Sequence, residues 1–256
     1  MVNLHSIYEI FLPMDWLERT KLLLGTEDLL KLSECHVLVV GLGGVGAYAA
    51  EQICRAGVGE MTIVDGDFIQ HTNRNRQLPA LKSTVGVAKA QVMGERLLDI
   101  NPDLKLHIIQ EYIRDQRMVE ILDNGYDYVV DAIDTLSPKI FLIYHTIQKG
   151  LKLVSSMGSG GKLDPSKVEI ADFSETCICP LARILRKRLG RLGVKEGFKV
   201  VFSTEVVPEH AMVLCDDEPN KKSTLGTISY MPPIFGCLMA SVVVRDLISQ
   251  FNSKIV

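Results

Sequence analysis

The chain has 256 residues, 47% of them hydrophobic, with one Trp and a mean hydropathy of +0.17, enough for one large core or one core with an appendage. A net charge of −3 and a pI near 6.1 exclude a protein that is basic all over, so any nucleic-acid contact has to be local. The six cysteines, Cys35, Cys54, Cys177, Cys179, Cys215 and Cys237, are scattered and imply no disulfide framework, and neither a signal-peptide pattern nor an apolar run of the roughly 18–20 residues of a span occurs, so a cytoplasmic protein without membrane contact is expected.

Leucines at helical spacing over 15–32 (Leu17, Leu22, Leu24, Leu29, Leu30), interrupted by Gly25, predict two short helices. Short apolar runs follow at 36–41, 59–67, 104–110, 126–134 and 151–158, alternating with segments of i, i+3, i+4 apolar spacing at 44–56, 85–99, 115–123 and 136–149. That alternation predicts a parallel sheet covered on both faces. After Gly161 the rhythm is lost. "KLDPSKVEIADF" reads as a hairpin, 180–192 as a basic helix, 199–203 as a strand, the polar 208–227 as a mobile loop and 233–251 as a final apolar helix. With no Ser-, Gly- or Pro-rich linker and no internal repeat, the expectation is one continuous domain over 1–256: N-terminal helices at 1–34, a regular half at 35–160 and an irregular half at 161–256. The fold class is α/β, a doubly wound sheet that is parallel in the N-terminal half, with antiparallel strands added by the C-terminal half.

"VLVVGLGGVGAYAAEQIC" sets Gly41, Gly43 and Gly46 in Gly-x-Gly-x-x-Gly spacing between a strand and a helix. The glycines permit a tight turn and close approach of phosphates, and the helix N-terminus offers free N–H groups, as in a Rossmann-like nucleotide site. Asp65 ends the next strand, where a carboxylate accepts from a ribose hydroxyl. Beyond it lie Asp67, the donor-rich "TNRNRQ" (72–77), Lys89 in "GVAKAQV", and Asp131 and Asp134 in "DAIDT". A dinucleotide resting on backbone amides needs few of these groups. A triphosphate undergoing substitution at phosphorus needs cations on its oxygens and an acid to hold Mg2+, which favours adenylyl transfer over hydride transfer.

The residues resemble the ubiquitin-activating-enzyme-like adenylating superfamily of the ThiF/MoeB type: Gly41-x-Gly43-Gly44-x-Gly46, Asp65-x-Asp67, Asn73-x-x-Arg76-Gln77, Lys89 and Asp134, in order, from about residue 15 to 251. The resemblance implies that Asp65 binds the ATP ribose, that Asn73, Arg76, Gln77 and Lys89 hold the phosphates and stabilise the pentavalent α-phosphate, and that Asp134 coordinates Mg2+. It also implies that Arg19, in "LERTKLLLG", reaches the phosphates of a partner subunit in a homodimer. Arg74 falls at a variable position and is expected to be exposed, Asp131 to cap or pair locally, and Asn75 has no assigned role.

The sulfur-carrier-activating branch carries two Cys-x-x-Cys pairs for a structural zinc. Cys177-x-Cys179 has the wrong spacing and no second pair exists, so no zinc is expected; Cys177 and Cys215 remain candidates for an acyl-accepting thiol. "TNRNRQ", "VGVAKAQVMGERLLDINPD", "YDYVVDAIDTLSPK", "GSGGKLDPSKVEIADF", "PLARILRKRLGR" and "VFSTE" resemble the zinc-free branch that dehydrates threonylcarbamoyladenosine in tRNA. That branch implies adenylation of the threonyl carboxylate and attack by the tethered carbamoyl group, which needs no external nucleophile. Arg183, Arg186, Lys187, Arg188, Arg191, Lys195 and Lys199 stand against one acid, Glu196, and with Leu181, Ile184, Leu185, Leu189 and Leu192 as an apolar face they form a stripe able to meet tRNA phosphates. The resemblance also allows a cysteine-desulfurase or sulfur-acceptor partner, and a monovalent cation on backbone carbonyls, which leave no side-chain signature. Competing readings are an adenylyltransferase for a ubiquitin-like sulfur carrier, a nucleotide-sensing or sulfur-relay binding protein without turnover and a nicotinamide oxidoreductase.

Overall fold

The computed structural model describes residues 15–214 and 223–248. Helices α1 (Glu18–Leu24) and α2 (Thr26–Glu34) flank Gly25 and lead into β1 (His36–Val40), which is buried at every position. Then follow α3 (Gly46–Arg55), β2 (Glu60–Val64), α4 (Lys89–Ile100), β3 (Lys105–Ile109), α5 (Asp115–Leu122), β4 (Tyr128–Asp131), α6 (Leu136–Gln148), β5 (Leu153–Ser156), β6 (Val168–Asp172), α7 (Pro180–Arg191), β7 (Lys199–Ser203), the short β8 (Met212–Leu214) and β9 (Ser223–Leu225), and α8 (Met231–Leu247). The main sheet has the order β3-β2-β1-β4-β5-β7-β6 and is parallel except for β6, which pairs antiparallel with β7.

Both faces are covered, as the continuous apolar runs demand. Val37, Val39, Met61, Ile63, Val130, Val154 and Val201 meet α3, α4 and α8, while Leu38, Val40, Val64, Val129 and Val200 meet α5, α6 and α7. The alternation of Val37 and Val39 with Leu38 and Val40 is the pleat of the strand. Helix α8 lies so close on α3 that a Cβ on Gly236 would sit 2.4 Å from the Val45 carbonyl oxygen, and larger residues there would push the two helices apart.

Three expectations need correction. "KLDPSKVEIADF" is no hairpin: Asp164 caps a turn at Pro165–Lys167 by accepting from the Ser166 amide, and only β6 is extended, its antiparallel partner lying in β7. The helix expected from 85 begins at Lys89, because 82–84 form a separate helical turn. Within 208–227, β8 and β9 pair antiparallel; the remainder of that loop, 215–222, lies outside the described residues, as do Cys215 and residues 249–251 of the last helix. Among the described residues no helix is long and apolar enough to cross a membrane.

Candidate active site

The chain leaves β1 towards β2 and β3 on one side and β4 on the other, so the C-terminal ends of β1 and β4 border a crevice at the switch point of the sheet. The glycine turn fills it. Gly41, at φ 91°, donates from its amide to the Val64 carbonyl at 2.8 Å, a backbone conformation that favours glycine. A Cβ on Gly46 would lie 1.8 Å from the Gly41 carbonyl oxygen, so the helix can start this close to the strand only without a side chain. Gly43 faces the Gln77 amide and Gly44 faces Pro232 and Arg76.

Asp65 is tied to this turn. Its Oδ2 accepts from the Leu42 amide at 2.6 Å and its Oδ1 from the Asp67 amide at 2.8 Å. Burial pushes its pKa up, although the Lys89 charge and those two amides pull the other way. Lys89 is only 5% exposed and opens α4, where the helix dipole disfavours a cation. A carboxylate compensates: Lys89 Nζ donates to Asp67 Oδ2 at 2.7 Å. Tyr112, three residues past β3, donates its hydroxyl to Asp67 Oδ1, and this bond, with burial, holds the phenol at about 12. Tyr112 escaped the sequence reading; its only signal was an aromatic just beyond the end of an edge strand.

The donor-rich stretch is a helical turn, His71–Asn75. Asn73 is buried and turned inward, its Oδ1 accepting from the Gln70 amide at 3.0 Å, so it shapes the turn. Arg74 is exposed, as expected. Arg76 donates through one terminal nitrogen to Asn75 Oδ1 at 2.8 Å and to the Thr72 carbonyl at 3.2 Å, while Asn75 Nδ2 donates to the Thr227 carbonyl at 2.9 Å. Asn75 therefore joins Arg76 to the segment before α8. Burial lowers the Arg76 pKa, and the Asp134 charge pulls the other way. Gln77 Oε1 is buried without a hydrogen-bond partner, an acceptor that suits a bound group with donors.

Asp134 is exposed, and the turn that presents it is braced from below. Asp131 and Lys139 are both fully buried, with Lys139 Nζ 2.7 Å from Asp131 Oδ2 and 3.0 Å from the Ile133 carbonyl. Asp131 also accepts from Ser155 Oγ at 2.6 Å and from the Ile133 amide at 3.1 Å. Asp131 thus pairs locally, as its sequence suggested; Lys139 was missed because a lysine on a helix reads as solvated.

The remaining expected residues lie elsewhere. Arg19 is exposed on α1 and lines a shallow cleft with Gln52, Arg55 and Ala56 at the far end of α3, so ten residues of helix, about 15 Å at 1.5 Å per residue, separate it from its own glycine turn. On α7, Arg183, Lys187, Arg188 and Arg191 are exposed, whereas Arg186 leaves the stripe because it donates to the Thr176 carbonyl at 2.5 Å and to the Thr176 hydroxyl. Lys199 also leaves it, pairing with Asp246 at 2.6 Å. The apolar face is narrower than the leucines implied: Ala182, Leu185 and Leu189 are buried, but Ile184 and Leu192 are exposed. Cys177 is exposed and Cys179 buried.

A model of the ThiF family matches residues 17–255. The tRNA threonylcarbamoyladenosine dehydratase of Bacillus subtilis is 38% identical over 243 residues, covering 92% of this chain and 96% of its own. The crystal structure of the Escherichia coli tRNA N6-threonylcarbamoyladenosine dehydratase in complex with ATP superposes with a TM-score of 0.83 at 33% identity, covering 93% of this chain and 95% of that one. By contrast, an adenylyltransferase and sulfurtransferase, MOCS3 of Drosophila yakuba, is 34% identical over only 55% of this chain and 30% of its own. The chain belongs to the ThiF family, and within it to the group of the tRNA threonylcarbamoyladenosine dehydratases.

Proposed function

We propose that the protein is an ATP-dependent dehydratase of threonylcarbamoyladenosine in tRNA. The observation that carries this reading is the gathering of Arg76, Asp65, Asp67 and Lys89 around the glycine turn, with Asp134 two residues past Ala132, whose carbonyl borders Gly41, in a chain similar along nearly its whole length to a dehydratase solved with ATP. Asp65 receives the ribose hydroxyls; Arg76 and Lys89 neutralise phosphate oxygens as negative charge builds on them. Asp134, exposed two residues past Ala132, whose carbonyl borders Gly41, would hold Mg2+, which when bound supplies further charge neutralisation at the phosphates. A threonyl carboxylate oxygen bonds to the α-phosphorus and pyrophosphate leaves. The carbamoyl group of the same nucleoside then attacks the activated carbonyl and AMP leaves with that oxygen, so the ring closes with net loss of water. Because both reacting groups sit on one nucleoside, proximity replaces an enzyme nucleophile.

The exposed Arg183, Lys187, Arg188 and Arg191 of α7 form the tRNA contact, and Arg186 is left out of it. Arg19, remote from its own site, acts across a homodimer. The test is direct: tRNA carrying the open modification is incubated with the protein and ATP, and its nucleosides are weighed under mild conditions. The modified nucleoside becomes one water lighter, and Arg76→Ala abolishes this along with tRNA-dependent AMP release. An unchanged nucleoside mass, with pyrophosphate released instead on adding a ubiquitin-like protein whose C-terminus then carries AMP, would establish the sulfur-carrier reading.

A further inference from the structure

The end of the sheet opposite the glycine turn carries a second cluster of chemistry-bearing side chains. His36 on β1, Glu60 on β2 and His107 on β3 point to the same face, since His36 pairs with Glu60 and Thr62 with His107 in the strand register. The three offer one donor atom each within 4.8 Å of one another. His107 Nε2 lies 2.9 Å and His36 Nδ1 3.6 Å from the same Glu60 oxygen.

The second nitrogen of His36 gives this arrangement its direction. His36 Nε2 is 2.9 Å from Thr62 Oγ1 in a buried contact. When Nε2 donates there, the Nδ1 lone pair is left facing the Glu60 carboxylate at a separation too long for a hydrogen bond. Two lone-pair bearers so placed are near the distance at which two donors share one ion: bonds of about 2.0–2.1 Å at a tetrahedral angle put donors about 3.3 Å apart. The Thr62 hydroxyl does for His36 what outer groups do for metal-bound imidazoles, fixing tautomer and ring orientation. The side chain is only 11% exposed and is packed against Tyr126, whose ring centroid is 4.5 Å away, so it is held before any ion arrives. His107 is 46% exposed and adjusts freely. The competitor is Lys105, whose Nζ is 2.9 Å from the same Glu60 oxygen; at 67% exposure it can swing into solvent, and such an exposed pair contributes little.

We infer that His36, Glu60 and His107 form a binding site for a divalent transition-metal ion, Zn2+ by its donor set, that pins the edge strand β3 to β1 across β2. Two imidazoles and a carboxylate are a borderline-soft set that suits Zn2+ over Mg2+ or Ca2+, and it differs in kind from the four-cysteine site of sulfur-carrier enzymes. The ion ties two strands that are not neighbours, where β3 is bonded to the sheet along one side only. No part of the nucleotide site takes part.

Zn2+ binding is measured on the untagged full chain after chelator treatment, by competition with a chromophoric chelator, for the parent protein, His107→Ala and Glu60→Gln. His107 is outside the core, so its removal leaves the fold in place. The expected result is one saturable Zn2+ per chain, weakened tenfold or more in both variants, with Zn2+ raising the unfolding temperature of the parent and not of His107→Ala. Failure of the parent to bind Zn2+, or an affinity unchanged by His107→Ala, overturns the inference and leaves the cluster as a charge network only.

Discussion

Lys139→Met removes one partner of a fully buried ion pair directly beneath the turn that carries Asp134. Breaking such a pair from one side costs about 3–5 kcal/mol, because the charge left behind stays buried. Here Asp131 keeps the Ser155 hydroxyl at 2.6 Å and the Ile133 amide at 3.1 Å, which places the expected loss at the lower end, about 3 kcal/mol. For a chain of this size that is a fall in unfolding temperature of about 6–12 °C, at about 2–4 °C per kcal/mol. Asp131→Asn combined with Lys139→Met leaves no buried charge and should recover more than half of the loss in a urea titration. The Ile133 carbonyl loses its lysine donor in both variants, so the KM for ATP should stay raised even where stability returns. An unfolding free energy for Lys139→Met within about 1 kcal/mol of the parent, or a double variant no more stable than the single one, would refute the view that this pair is held at the expense of desolvation and braces the Asp134 turn.

Asp67→Asn takes the counter-charge from Lys89 at the start of α4, and the KM for ATP should rise about tenfold, equivalent to about 1.4 kcal/mol, as read from initial rates. Because burial raises the Asp65 pKa above its ordinary 3.8, protonation removes the acceptor at a higher pH than for an exposed carboxylate. ATP binding should therefore weaken as pH falls while still above that value, and Asp65→Asn should flatten this limb. Exchanging Lys187 and Arg188 for Glu should weaken tRNA binding and make the dependence of log K on log salt shallower by about 1 for each phosphate no longer neutralised, with ATP binding unchanged in a filter assay.

The strands, the glycine turn and the position of Asp65 were legible because they follow from local pattern: periodicity sets the strand, and a strand-turn-helix junction at this distance admits only glycine. What escaped depends on where individual side chains turn and what encloses them. Lys139 follows Pro138 on a helix, and nothing nearby says that Asp131 and the Ile133 carbonyl will enclose it. Arg186 looks like its neighbours on α7 until Thr176 folds back beneath it. The partner of β6 comes only after a helix, at β7, so a hairpin reading of 162–173 placed the second strand where Pro165 and the Asp164 cap make a turn. Asn73 belongs to the donor-rich motif, yet its oxygen serves the Gln70 amide; composition shows that a donor is present and not where it points.

Asn75 shows how the irregular half reaches the reacting end of the site. Its oxygen receives Arg76 and its nitrogen holds the Thr227 carbonyl, four residues before α8 begins at Met231, with Pro232 closing over Gly44. Each bond is neutral on the Asn75 side and exposed, worth about 0.5–1.5 kcal/mol, so Asn75→Ala should raise the KM for ATP about three- to tenfold with little loss of stability. Asn75→Asp separates the two bonds: it keeps an acceptor for Arg76 and discards the donor to Thr227. If orientation of the guanidinium is what Asn75 provides, Asn75→Asp should bind ATP close to the parent level while Asn75→Ala does not. Equal defects in the two variants would mean that the tether to Thr227, and through it the placement of α8 on the glycine turn, is the operative contact, and the assignment of Asn75 to Arg76 would fail.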